Sequence, residues 1–412
     1  MAGTDQALPR QEESSNTTCS PEVLKVLEAL KRASHELRAH PDLRPGCDSN
    51  PSPEIMALLE LQTESDAILS GDPYLCNLSN HLNTLKSLVL AQRSSKGFDL
   101  RSFLCSRVSA HSISQVAELI GLEIQAWIDR EIVEEIVFRL EARPGNDEEV
   151  IRLLGRIEKR VSQGFNRDLQ DLVLKCKLLG RLERALCDPV WSTRMREHTA
   201  FTIAALMKFN KDVFVGQVML RRTILALMVI ASVASLKVLT LLIRSIKSAI
   251  VDEIKSSGKI PETISFLDNE DLQFRVAAMD CILEIGYFGR KEAIEAMLEA
   301  GLIEKLMELQ WSGHGGTLID SSWYNDDGDE DENGERRRKR STRSNRERKL
   351  LETHPFTSCV SRFAVQLEVG EGLRQRERRA FKRQILERVR EASATDSEAA
   401  TIVAEVLWGS SP

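Results

Sequence analysis

Few residues in this chain have the type and spacing that chemistry needs. His314-Gly315-Gly316 has the form of an esterase oxyanion turn. Acyl transfer of that kind also needs a serine in a G-x-S-x-G elbow, and the sequence has none. Asp329-Glu-Asp331-Glu-Asn333-Gly334 matches the first half of a calcium loop. Position twelve falls on Arg340, where calcium needs a bidentate carboxylate, and the second half is mostly cationic and repels the ion. Walker A, G-x-G-x-x-G and H-E-x-x-H motifs are absent, and the seven histidines share no spacing. The eight cysteines, Cys19, Cys47, Cys76, Cys105, Cys176, Cys187, Cys281 and Cys359, stand far apart. Without a C-x-x-C or a Cys/His cluster, most read as small core residues in a reducing compartment. The expectation is no catalytic residue, no cofactor and no metal.

Two basic clusters remain. Arg336, Arg337, Arg338, Lys339 and Arg340 fit a nuclear-import signal; the plainer reading is a solvated loop partly neutralised by adjacent acids. Leu373 to Arg390 carries eight bases on a helical pattern with Phe381, Ile385 and Val389 as its apolar stripe. Such a helix can lie on anionic lipid, or pack its stripe on the protein and solvate its charges; the second reading is favoured.

The elements that must position these residues are helices. The 412 residues contain 22 Gly and 12 Pro, with 42% hydrophobic and only 5% aromatic residues. Chain breakers and β-favouring aromatics are scarce, which points to an all-α fold with a sizeable core. The net charge of −6, from 56 bases and 62 acids, argues against a fold-wide grip on nucleic acid. The polar, acidic N-terminus lacks the pattern of a signal peptide. The longest uncharged apolar run, Thr223 to Leu236, spans about 21 Å as a helix, against roughly 30 Å of hydrocarbon. It reads as one helix buried on all sides.

An internal period is present. Gly180, Gly216, Gly258 and Gly301 are spaced 36, 42 and 43 residues apart, and each precedes an apolar segment by two residues. The clearest unit, 260–309, has Pro261 opening a short helix and a break at Leu267-Asp-Asn-Glu. Phe274, Ala277, Ala278, Cys281, Ile282 and Ile285 then make one helical face. Gly286 to Gly289 is expected to loosen the chain, and Gly301 to reset it. Similar faces precede it at 197–207 and 232–246.

The stretch LDNEDLQFRVAAMDCILEIGYFGRKEAIEAMLEAGLIEKL resembles an armadillo (ARM) repeat, and IVDEIKSSGKIPETISFL resembles the preceding junction. The wider layout is similar to plant ARM-repeat proteins, some of which carry a ubiquitin-transferring U-box. No U-box is visible here. Asp188-Pro189-Val190 matches a fragment of its core without the flanking elements. The resemblance implies a right-handed superhelical solenoid in which stacked third helices, those following the E-A-G step, line a groove for a peptide or helix. Cargo carriers of this family repeat Trp and Asn along those helices, and this chain does not.

The expected organisation is a disordered tail (1–20), a helical bundle that caps the solenoid (21–140), ARM repeats (141–311), a disordered acidic-then-basic insertion (312–349) and ARM-like helices (350–409). The functional expectation is a non-catalytic scaffold for protein partners, with Arg184, Arg221, Arg222, Lys259 and Lys305 as groove residues. An adaptor in ubiquitin ligation and a peripheral membrane protein using the basic C-terminal helix are the alternatives. No specific nucleic acid and no transmembrane segment is expected, and the location is cytoplasmic, nuclear or both.

Overall fold

The structure, a computed structural model, describes residues 21–39, 75–94, 100–142, 147–217, 220–317 and 351–408. The expected tail, residues 40–74 of the expected bundle, the acidic 329–334 motif, the 336–340 cluster and the 318–349 part of the insertion lie outside the described residues. Among the described residues every regular element is a helix. The chain divides into one unit of residues 1–135 and 167–176, and another of 136–166 and 177–412.

The first unit contains α1 (Pro21–Ala39), α2 (Cys76–Ser94), most of α3 (Leu100–Ala142) and α5 (Arg167–Lys175). α3 is a single helix of 43 residues. Leu27, Leu30 and Leu37 of α1 are buried, as are Ile113, Ala117, Ile120 and Ile124 of α3. A Cβ on Gly121 of α3 would lie 3.2 Å from Ser34 Oγ of α1, so the missing side chain permits their close approach. Arg38 on α1 pairs with Glu118 on α3 at 3.1 Å.

The second unit is repetitive. Its helices are α4 (Asp147–Val161), α6 (Leu178–Cys187), α7 (Thr193–Phe209), α8 (Lys211–Phe214), α9 (Leu220–Ile230), α10 (Val233–Ile246), α11 (Ser248–Ser256), α12 (Ile260–Ser265), α13 (Leu272–Phe288), α14 (Lys291–Glu299), α15 (Leu302–Gln310), α16 (Cys359–Val369), α17 (Gln375–Ala392) and α18 (Asp396–Trp408). The order is a short helix, a tight turn, a second helix, a break and a long helix. The sets α8-α9-α10, α11-α12-α13 and α14-α15-α16 follow it, and α6-α7 and α17-α18 are partial sets.

Local sequence explains the joints. Gly258 (φ 67°) and Gly301 (φ 76°) adopt the left-handed backbone that glycine tolerates, and they end the short helices α11 and α14. The other two marker glycines behave differently. Gly180 lies inside α6, whose left-handed entry residue is Lys177 (φ 48°), and Gly216 sits in a short 3-10 turn. Pro261 does stand in the first turn of α12, and the 266–268 turn with Asn269 ends it.

Two expectations are corrected. The apolar run 223–236 is two helices: Ala231 (φ 44°) turns the chain and Ser232 starts α10. Ser232 Oγ accepts from Ser235 N–H at 3.1 Å, and Ser235 Oγ accepts from Ser232 N–H at 2.9 Å, a reciprocal cap. Val229, within the run, is 74% exposed. Gly286 does not loosen the chain either, since α13 continues to Phe288. A Cβ there would lie 2.9 Å from Phe363 Cε2, so Gly286 is where α16 presses against α13.

Candidate binding surface

The long helices α4, α7, α10, α13, α16 and α18 pack in unbroken succession. Each buries one face, as with Phe274, Ala277, Ala278, Cys281, Ile282 and Ile285 of α13. Polar contacts one period apart cross-link the layer. Thr202 Oγ1 of α7 donates to Glu158 Oε1 of α4 at 2.7 Å. Arg244 of α10 pairs with Glu284 of α13 at 2.8 Å. Ser361 Oγ of α16 donates to the Glu405 carbonyl of α18 at 2.8 Å. These separations of 44, 40 and 44 residues are the repeat period expressed as contacts. The other tier has its own rungs: Arg181–Glu141 at 2.7 Å, Thr223–Glu183 at 2.9 Å, Arg290–Asp252 at 2.9 Å and Lys305–Asp268 at 2.6 Å.

The solvent side of the long-helix layer changes character along the stack. Lys159 on α4, Lys208 on α7 and Lys237 on α10 are exposed, and among the described residues none has a hydrogen-bond or ion-pair partner for its ammonium. Leu241 on α10 is 41% exposed, Val369 on α16 56% and Leu407 on α18 51%. The exposed Asp280 of α13 lies near the charges of Arg362, Arg244 and Lys237, so cations, an acid and apolar side chains all occur along the layer.

The five basic residues singled out from the sequence fall on the other tier. Arg184 lies on α6, Arg221 and Arg222 on α9, Lys259 at the entry of α12 and Lys305 on α15. Arg184, Arg221 and Arg222 are exposed. The Cys187 thiol donates to the Arg222 backbone carbonyl at 3.8 Å. Lys259 is bound to Glu262. Lys305 is held by Asp268 and by Glu308 at 2.8 Å, and those hydrogen bonds, Asp268 first, raise its pKa. The second helices carrying the five residues join partly through the short α11 and α14, so the long helices are the more continuous surface. The sequence could have shown this: lysines 159, 208 and 237 sit opposite the apolar faces of segments whose core pattern was already legible.

The cysteines are mixed. Cys281 and Cys359 are fully buried, and burial pushes each thiol up to about 12. Cys76 and Cys187 are exposed and Cys176 is intermediate, so the core-residue reading fails for these three. Cys76 and Cys187 stand at helix ends and Cys176 in a turn, away from the buried faces. Among the described residues no three or more His, Cys, Asp or Glu side chains gather as metal ligands would. No helix among them is long and apolar enough to cross a membrane.

The base of the 312–358 segment is a buried polar knot that sequence reading missed. Glu405, fully buried, accepts from Gln310 Nε2 at 2.9 Å and from Ser358 Oγ at 2.5 Å. Gln310 Oε1 accepts from Val360 N–H at 3.3 Å. The two chain ends meet through Phe356 N–H to His314 O at 3.1 Å and Ser358 N–H to Gly316 O at 2.9 Å. His314-Gly315-Gly316 is thus a structural corner. The segment enters between α15 and α16, inside one three-helix set.

The basic C-terminal helix is α17, and its stripe is spent on the fold: Phe381, Ile385 and Val389 are buried. Arg378 donates to the carbonyls of Leu373, Glu368 and Gly370 at 3.0, 2.7 and 2.6 Å, locking the α16–α17 turn.

No family model and no curated protein matches the chain. Among solved structures it is similar to a designed armadillo repeat protein at 15% identity, covering 67% of this chain and 99% of that chain with a TM-score of 0.39. Computationally designed armadillo repeat proteins for modular peptide recognition give 17% identity, 67% and 98% coverage and a TM-score of 0.38. An engineered protein gives 13% identity, 95% and 100% coverage and 0.40. The fold is read from this chain's own helices: an all-α solenoid of ARM-like three-helix repeats.

Proposed function

We propose that this chain is a non-catalytic protein-interaction scaffold whose long-helix layer takes an extended peptide or a partner helix. The observation that carries this is the unbroken succession of cross-linked long helices. These helices carry Lys159, Lys208, Lys237, Leu241, Val369 and Leu407 exposed to solvent. A surface already rigid before binding loses little conformational entropy when a partner arrives. The exposed lysines favour a ligand with acidic residues. Arg184, Arg221 and Arg222 form the alternative contact set on the second tier. An adaptor in ubiquitin ligation is a special case of the same scaffold. Membrane association through α17 would have to be electrostatic, because its apolar stripe is buried.

The test starts from peptides selected on the purified chain from a display library, followed by titration against two variants. Reversal at Lys208, Lys237 and Leu241 (each to Glu or Asp) is expected to weaken binding about tenfold or more. Reversal at Arg184, Arg221 and Arg222 is expected to leave it unchanged. Equal binding by wild type and both variants refutes the reading.

A further inference from the structure

We infer that the cleft between α16 and α17, with the arginine strip beside it, is a second binding site, for an acidic segment of a partner protein. This site is separate from the long-helix layer and does not depend on that layer's role.

The cleft encloses about 320 Å³. Ala364 and Leu367 from α16 and Ile385 from α17 lie behind it at 5%, 2% and 0% exposure, so the surface a ligand reaches is that of the polar side chains Glu368, Gln375, Arg378, Arg379 and Lys382. Its rim is cationic, with Arg378, Arg379 and Lys382 against the single acid Glu368. Two of those cations are engaged: Arg378 on the three carbonyls of the turn, and Lys382 on Glu368 at 3.0 Å. Arg379 is exposed and has no polar partner among the described residues.

Arg379 is one of a row. At 100° per residue, Arg376, Arg379, Arg383 and Arg390 fall within about 60° of one another, opposite the buried Phe381-Ile385-Val389 stripe. All four are exposed and have no polar partner among the described residues. From Arg376 to Arg390 the row runs about 21 Å along the axis. α17 has 18 residues, against 6 to 11 for the corresponding α6, α9, α12 and α15, so the row extends beyond what stacking the helix requires. Guanidinium forks pair with carboxylates through two parallel hydrogen bonds, which suits side chains better than a diffuse charge.

The details favour a peptide over other anions. Glu387 borders the row between Arg383 and Arg390, so a uniformly charged phosphate backbone or an anionic membrane meets repulsion there, whereas a peptide can place a neutral residue opposite it. No aromatic side chain lines the cleft to stack a base.

The experiment uses the full chain and a fluorescein-labelled acidic peptide, read by fluorescence polarisation. Arg379→Glu and Arg383→Glu are each expected to weaken binding about tenfold or more, with added salt weakening the wild type in parallel. Replacing the peptide's acids by their amides is expected to weaken it by a similar factor. Both protein variants change exposed residues, so an unaltered melting temperature verifies the fold. Unchanged affinity in both variants overturns the proposal, as does tighter, equally Arg379-dependent binding of single-stranded oligonucleotide or of phosphatidylserine vesicles. A rise in peptide affinity on deleting 318–350 overturns it too, because the chain's own acidic run would then be the occupant. The Lys208, Lys237 and Leu241 variant retains this binding if the two sites are distinct.

Discussion

At the scale of single residues, Glu158 shows how a rung is set. Burial raises its pKa above the usual carboxylate value, and the hydroxyl of Thr202, followed by the charge of His198, pulls it down. A carboxyl whose folded pKa is raised binds its proton more tightly in the folded state. Stability then falls as pH rises from the unfolded value of about 4 through the folded value, and levels off above it. Thr202→Val removes the hydroxyl and raises the folded pKa further. The variant is expected to be less stable than wild type at about pH 7, by about 1 kcal/mol, and to converge toward it near pH 4. Urea midpoints at the two pH values check this; an equal deficit at both contradicts it. Thr202 itself carried no visible signal, because a threonine inside an apolar helical pattern reads as one more core position.

At the scale of elements, two joints make definite predictions. Ala231 adopts φ 44°, which costs a non-glycine residue free energy, so Ala231→Gly is expected to stabilise the α9–α10 joint or leave it unchanged. The strain relieved is about 1 kcal/mol, less the entropy that glycine adds to the unfolded chain. A lowered urea midpoint would show that the left-handed turn is not strained. Gly286→Ala pushes a methyl into Phe363 and is expected to cost about 1–3 kcal/mol. Adding Phe363→Leu should recover part of that loss in a double-mutant cycle, and additive costs would place the clash elsewhere.

These joints also mark where sequence reading succeeded and where it stopped. The faces of α7, α10 and α13, the Pro261 start and the Gly258 and Gly301 turns were legible because helix period and left-handed glycine leave local signatures. The break at Ala231-Ser232 was missed because Ala-Ser-Val-Ala-Ser is short and weakly polar, although Ser232-x-x-Ser235 is a cap pattern. The role of Gly286 was misread because close approach by α16 depends on a residue 77 positions away. The five basic residues lie on or beside the second helices and not in the long-helix layer, a distinction that was hidden for a similar reason. Periodicity tells which face of a helix is buried, whereas which helices touch in unbroken succession is a property of the stack.

At the scale of the whole molecule, stability in a repeat stack is a sum of unit and interface contributions. Exposed rungs such as Arg244–Glu284 add little each, commonly below about 1 kcal/mol. The knot on Glu405 is buried and differs in kind. Glu405→Ala leaves the Gln310 amide and the Ser358 hydroxyl without this acceptor, at a cost of about 3 kcal/mol. Hydrogen exchange should show α16 and α18 losing protection while α7 and α10 keep theirs. Uniform loss along the stack would mean that the repeats unfold as one block.

The same knot gives the interruption a modular property. His314–Gly316 and Phe356–Ser358 close on each other by backbone hydrogen bonds, so the entry and exit of the interruption are tied together at one point of the stack. A reporter spliced in between 318 and 350 is then expected to leave the melting temperature unchanged, because the closure that α15 and α16 depend on stays within the frame. The joint works like a clasp, set inside a single repeat.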